Sequence, residues 1–300
     1  MADTNGLTDA LTDALTDALT VVVPTRDRPE LLARSLAALR AELEPQDRLL
    51  VVDSCPARFP ATATAATYGA ELLTASRPGT SLARNLGWQA ATTEHVAFVD
   101  DDVLVAPGWR RALLRSGADF VLGRVSEHPD DQPHERPVSV IEGSEPHAVD
   151  RSGPLDPGGG GNLRVRRQVL ADVGGFDEQL GAATWFASAE DLDLFDRMVL
   201  AGHVGWFEPE AQAFHLQWRT DTQALRLHWA YGKGMGARLA RLSRTDRRRA
   251  RLLLPRVVRL HGIATAANEV TSGHRRSWGP PVVWRLGALA GFAVARVRRL

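Results

Sequence analysis

From Thr20 onward, short uninterrupted apolar runs alternate with longer stretches in which apolar residues recur every three or four positions. Val21-Val22-Val23 is β-branched and ends at Pro24, the pattern of a buried parallel strand. Pro29 then suits the first position of a helix, where its missing N–H costs nothing. Leu32, Leu36, Leu39 and Leu43 follow at helical spacing and mark one apolar face. Leu49 to Val52 predicts a second strand ending in Asp53, and Thr80 to Ala91 a helix. Val96 to Val99 predicts a third strand, which runs straight into Asp100-Asp101-Asp102. Strands alternating with helices imply an α/β sheet with right-handed crossovers. Thr25, Asp53 and the aspartate triplet all stand at carboxyl ends of strands, the edge where open α/β sheets bind ligands.

Farther on, Arg124 to Pro157 reads as a long loop or lid containing a short strand at Val138 to Ile141. The run Gly158 to Gly161 calls for an unusual backbone. Helices are expected at Val165 to Val173, stopped by Gly174-Gly175, and at Ala189 to Leu200, closed by Gly202. Val204 to Phe207 resembles a strand, and after Trp218 the chain becomes helical, basic and Trp-containing. The N-terminus repeats Leu-Thr-Asp-Ala, with Leu7, Leu11, Leu15 and Leu19 on one drifting helical stripe. That repeat is either a docking helix or a tandem duplication without a role. Three segments result: a low-complexity tail over 1–18, an α/β body over 19–218 and a basic helical extension over 219–300.

Composition narrows the class. The chain has 300 residues, 44% apolar and 24% charged, which excludes a disordered or fibrous protein. Its single cysteine, Cys55, excludes an internal disulfide, zinc fingers and iron–sulfur clusters, and fits a reducing compartment such as the cytoplasm. No signal peptide is evident, and the longest apolar stretch, Pro281 to Ala295, is short for a membrane span and contains Arg285. A soluble protein, or one peripheral on the inner face of the membrane, is expected. The balanced totals of 36 basic and 36 acidic residues conceal an asymmetry. From Arg219 to Leu300 there are 18 basic residues against three acids, so the first 218 residues hold 18 basic and 33 acidic ones. Such a tail seeks an anionic partner. Arginine beside tryptophan and phenylalanine suits an anionic membrane surface, the protein's own acidic body is the alternative, and nucleic acid fits less well.

The candidate chemistry is acidic. Crowded carboxylates such as Asp100-Asp101-Asp102 often hold Mg²⁺ or Mn²⁺; the plainer reading is a solvated turn. Asp53 suits hydrogen bonds to a base or ribose, or a turn. Arg77 leads through Pro78-Gly79 into a helix, offering a guanidinium and free N–H groups to phosphate. Glu190-Asp191 opens a helix; Asp191 there is either a cap or a base that accepts a hydroxyl proton. His215, flanked by apolar residues, is either a core histidine or a metal ligand. A P-loop and a Gly-x-Ser-x-Gly elbow are absent, and Lys233 is the only lysine.

These segments together resemble the family 2 glycosyltransferases of GT-A fold over roughly Leu19 to Trp218. The resembling stretches are Val21 to Pro29, Val51-Val52-Asp53-Ser54, Gly79 to Asn85 before Val96 to Asp102, Gly161-Asn162, Gly174 to Glu178 and Glu190 to Leu194. The resemblance implies a mixed, nucleotide-binding sheet flanked by helices and transfer, with inversion, from a nucleotide-diphosphate sugar to an acceptor hydroxyl. Pro24, Thr25, Asp27, Asp53, Arg77, Arg84, Asn85, Asp100 and Asp101 would line the donor site. Asp102, with Asp100 and His215, would hold Mn²⁺ or Mg²⁺. Asp191, beside Glu190, would be the general base. Gly161, Asn162, Gly175 and Phe176 would lie on the acceptor side. Tyr231 to Gly236 resembles a segment of members that act on lipid-linked or cell-envelope acceptors. Two departures stand out: Asp53-Ser54-Cys55-Pro56 where Asp-Asp-Gly-Ser is common, and Arg26-Asp27-Arg28 where Tyr-Asn is frequent. A sugar-phosphate nucleotidylyltransferase and a non-catalytic nucleotide-sugar-binding module are the competing readings. The first lacks its glycine-rich loop, and the intact acidic pairs speak against the second.

Overall fold

The structure is a computed structural model that describes residues 18–128, 139–216, 221–255, 257, 279–298 and 300. The N-terminal repeat and the centre of the expected lid lie outside the described residues.

The chain divides into two compact units, Met1–Phe176 with Leu194–Gln217, and Asp177–Asp193 with Trp218–Leu300. The first is built on a nine-stranded mixed sheet. Strands β1 (Leu19–Thr25), β2 (Arg48–Asp53), β3 (Glu71–Thr74) and β4 (His95–Val99) run parallel in the order β3-β2-β1-β4. Helices α1 (Pro29–Glu42), α2 (Thr62–Thr67) and α3 (Thr80–Ala90) connect them. Side chains alternate across a strand, so β1 faces two layers. Leu19, Val21 and Val23 join Leu32, Leu36 and Leu39 of α1 in one core cluster. Val22 faces α3, where Gly87 lies so close that an added Cβ would sit 2.2 Å from Val22 Cγ1.

The sheet continues with β5 (Val103–Val105), helix α4 (Trp109–Arg115), β6 (Phe120–Glu127), β7 (His147–Val149), β8 (Asn162–Arg166), α5 (Arg167–Val173), α6 (Glu190–Leu200) and β9 (Gly205–His215). Strand β8 pairs antiparallel with both β4 and β6, and β9 pairs with β6, β5 and β7. Three expectations change here. Arg124 to Glu127 belongs to a strand rather than to a loop, because the ladder with β9 resumes after a bulge between Gly123 and Val125. Val165 and Arg166 close β8 instead of opening a helix, their backbones held by β4. The strand expected at Val204 to Phe207 runs on to His215. Ile141 makes only an isolated bridge to Val125.

The division between units falls inside α6, whose first four residues group with the second unit. That unit contains α7 (Asp221–Thr245), α8 (Arg247–Pro255) and α9 (Gly279–Arg298). Helices α7 and α9 meet at paired glycines. An added Cβ would lie 2.1 Å from Trp284 O at Gly232, 2.1 Å from Ala288 O at Gly236 and 2.0 Å from Lys233 O at Gly291. Backbones approach this closely only where side chains are missing. Leu180 and Phe186 pack with Ala237, Ala240, Ala295 and Leu300, and Arg241 pairs with Asp177 and Asp193. These contacts draw Asp177–Asp193 to the C-terminal helices, whereas the sequence places a single boundary at Trp218.

Candidate active site

The carboxyl ends of β1, β2 and β4 lie side by side, with Thr25 in register with Asp53. The chain leaves β4 through the aspartate triplet and enters β5. A tight turn sends successive side chains in different directions, and the three carboxylates have different surroundings.

Asp101 is fully buried. Thr25 donates its hydroxyl to Asp101 Oδ2 at 2.6 Å, and Arg28 Nη2 lies 2.7 Å from Oδ1. Burial pushes this carboxyl up to about 7, with Asp102 and Asp100 adding to the rise and Arg28 and Thr25 opposing it. Read from sequence as a donor contact, Asp101 instead turns inward and anchors the first loop. Asp102 shares the same arginine: Arg28 Nη1 donates to its Oδ2 at 3.2 Å, while Oδ1 lies 3.6 Å from His215 Nε2. His215 ends β9, and its neighbour Leu216 donates its N–H to Asp102 O, which ties the two segments together. Asp100 is partly open; Arg84 Nη2 donates to its Oδ1 at 2.7 Å. Gly161 sits against the same carboxylate, and a Cβ there would lie 2.6 Å from Asp100 Oδ2. The structure therefore brings Thr25, Asp100, Asp101, Asp102, Arg84, Gly161 and His215 together. It adds Arg28, which sequence reasoning noted only as a departure from a family pattern. The available signal was a second arginine in a loop that faces three acids.

Asp53 is buried at the end of β2. The Ala61 N–H donates to its Oδ2 at 2.7 Å, while Oδ1 has no hydrogen-bond partner among the described residues. Burial raises its pKa, and the Ala61 amide offsets part of the rise. A buried acceptor of this kind is costly unless a ligand completes it. Asp27, in the left-handed region at φ 56°, accepts backbone N–H bonds from Phe59, Arg58 and Ala57. The Phe59 bond, then that of Arg58, holds its carboxyl below the usual range. Asp27 thus organises the loop that follows β2. Pro24 is buried in β1, and Arg77 is exposed just before α3.

Two asparagines read as site residues act as braces. Asn85 Nδ2 donates to Phe176 O at 2.9 Å, and its Oδ1 accepts the Phe176 N–H at 2.8 Å, fixing Gly175-Phe176 to α3. Gly175 has φ 67° and no room for a side chain beside Asn85 and Trp88. Phe176 meets Phe98 edge-on and lies under the Arg84 guanidinium. Asn162 is 1% exposed; its amide donates to Arg124 O and Ala211 O and accepts from Trp109 Nε1. It therefore holds the sheet centre and has almost no surface to offer an acceptor.

In the second unit, Glu190 and Asp191 open α6. Their segment carries Ala183, Ala187 and Ala189 at φ 68°, 63° and 67°, a left-handed backbone that alanine adopts at a cost. Asp193, two residues past Asp191, is buried against Arg241 Nη1 at 2.5 Å.

The family model described as glycosyl transferase family 2 matches residues 20–174. A pre-mycofactocin glycosyltransferase of Mycobacterium tuberculosis is 31% identical over 73% of this chain. The chain belongs to glycosyl transferase family 2. A second M. tuberculosis relative, an N-acetylglucosaminyl-diphospho-decaprenol L-rhamnosyltransferase, is 30% identical over 43% of the chain. The chain spans about half the length of the curated relatives it matches: 47% of the first and 38% of the second. Among solved structures, Staphylococcus aureus TarS 1–349 matches with a TM-score of 0.63 at 16% identity, covering 94% of this chain and 82% of that one. The mannosyltransferase PcManGT from Pyrobaculum calidifontis, solved with GDP-Man and Mn²⁺, matches with a TM-score of 0.58 at 17% identity, covering 93% and 82%. These likenesses show a GT-A-like fold: a mixed α/β sheet with flanking helices.

Proposed function

We propose that the protein transfers a sugar from a nucleotide-diphosphate sugar to an acceptor hydroxyl, with inversion and with the help of a divalent cation. The observation that carries this reading is the pair Asp102 and His215, with Oδ1 and Nε2 3.6 Å apart at the carboxyl edge of the sheet. Bonds of ~2.1 Å from one ion put neighbouring donors about 3 to 3.6 Å apart, so the pair suits a single cation. Among the described residues no group of three His, Cys, Asp or Glu side chains is arranged to hold a metal. Two protein ligands, with the remaining positions left to diphosphate oxygens and water, is a common arrangement for Mg²⁺ and Mn²⁺. Bound there, the ion supplies positive charge to the leaving diphosphate.

The chain's own residues supply the rest. Asp53 Oδ1, buried and without a hydrogen-bond partner among the described residues, would accept a hydrogen bond from the nucleobase or ribose. Asp100, steadied by Arg84, would face the ribose, and Arg77 would face the diphosphate. Asp191 would accept the proton of the attacking hydroxyl as its oxygen bonds to the anomeric carbon and the nucleoside diphosphate departs. Attack opposite the leaving group inverts the anomeric centre. The structural neighbour solved with GDP-Man and Mn²⁺ supports donor and metal, and the family match favours transfer over the nucleotidylyltransferase reading. The relative named for a diphospho-decaprenol substrate, together with the basic C-terminal helices, supports a lipid-linked acceptor met at an anionic membrane.

Asp102→Ala and Asp191→Asn separate the two roles. Each is expected to lower transfer by about 10²-fold or more. Calorimetry with UDP, GDP and dTDP should show that Asp102→Ala loses Mn²⁺-dependent nucleotide binding and Asp191→Asn retains it. Normal turnover in either variant would overturn the assignment.

A further inference from the structure

We infer that α9 docks the second unit onto an anionic membrane surface through the face it turns away from α7. Its inner face is settled: Trp284, Gly287, Ala288, Gly291 and Ala295 are buried, and the glycines meet α7 backbone. Its outer face is also apolar. Val282, Leu286, Leu289 and Val297 are exposed by 46%, 54%, 68% and 83%, with exposed Ala293 between them. At ~100° per residue these five positions fall within about 80° of arc, and at ~1.5 Å per residue they run about 22 Å along the axis. Isolated exposed leucines need no explanation, but a stripe the length of a helix does.

Charge identifies the occupant. Arg285 and Arg296 fall together on one edge of the stripe, Arg296 exposed and Arg285 partly so. The chain has no acidic residue from Val270 to Leu300. Arginine stems can lie along an apolar surface while their heads reach lipid phosphates. No helix among the described residues is long and apolar enough to cross a membrane. An apolar stripe edged by arginine, on a helix too polar to cross, suits the headgroup–acyl boundary. A second copy of this chain would bring the same arginines against one another with no acids on the face to receive them. This docking deepens the proposed reading of a membrane-presented acceptor, and it is read without substrate, so its failure and failure of the transfer reading remain distinguishable.

The test is co-sedimentation of the full chain with vesicles of phosphatidylcholine alone or with added phosphatidylglycerol. The expected result is binding that rises at least tenfold with phosphatidylglycerol. Leu286→Glu with Leu289→Glu should lower that binding at least tenfold, while urea unfolding midpoint and Mn²⁺-dependent nucleotide binding stay at parent values. Arg285→Glu with Arg296→Glu leaves the apolar stripe intact and should bring binding down to the phosphatidylcholine level; it keeps the test alive if the first variant misfolds. Absence of vesicle binding, binding that neither variant alters, or a dimer in analytical ultracentrifugation that the leucine variant abolishes would each overturn the proposal.

Discussion

Arg28 is the residue on which the acidic edge turns. It reaches both Asp101 and Asp102, and Asp101 has no access to water. A buried carboxylate that loses its cation either takes up a proton or destabilises the fold. Arg28→Ala should therefore cost about 1–3 kcal/mol in urea unfolding, and Arg28→Lys should restore only part of it, because one ammonium cannot bridge two carboxylates as a guanidinium does. His95 gives a pH signature. Burial, then Arg164 and Arg166, lowers its pKa from 6.5 to about 4. Between those values the unfolded chain takes up a proton that the folded chain refuses, so the His95 contribution to stability is complete above about 6.5 and is lost as pH drops toward 4. Asp101, held up at about 7, acts in the opposite sense over the same range, so the signature is a difference: relative to the parent, the urea midpoint of His95→Gln should gain as pH falls from 6.5 to 4. At this scale the sequence marked the acids but not their directions. Nothing in Asp100-Asp101-Asp102 says that the middle side chain turns inward; the turn between β4 and β5 decides it.

The parallel elements were legible because each strand is a short apolar run and each helix carries its own face. Leu32, Leu36 and Leu39 are all buried, and the boundaries of β1, α1, β2 and α3 fall within a residue or two of expectation. Strands β3, β5, β6, β7 and β8 and helices α2 and α4 escaped notice. Glu71–Thr74 and His147–Val149 are short and only partly buried, and their strand character comes from the neighbouring strand's hydrogen bonds. Helix and sheet meet closely where α3 crosses β1 at Gly87. Gly87→Ala would press a methyl group into Val22, so it should destabilise the protein by about 1–3 kcal/mol, measured as a lower unfolding midpoint with the slope unchanged.

At the scale of the whole molecule, charge and topology separate. The acidic body and basic extension were visible from counting, and the edge chemistry from where three strands stop. The grouping of Asp177–Asp193 with the C-terminal helices was hidden, because it depends on Arg241 meeting residues 64 and 48 positions earlier. Asp193 is buried beside that arginine and follows Asp191 by one half-turn of α6. Arg241→Ala should therefore lower stability by about 2 kcal/mol and reduce kcat more than donor affinity, with Arg241→Lys recovering part of both; an unchanged kcat would remove its positioning role. The glycine crossing of α7 and α9 has a practical consequence. Where the two backbones touch, glycines leave no room for a side chain, so each helix serves as the other's mould and exchanging one alone would set new side chains against backbone. A chimaera that swaps C-terminal segments to redirect such an enzyme must transplant both halves of the crossing as one cassette.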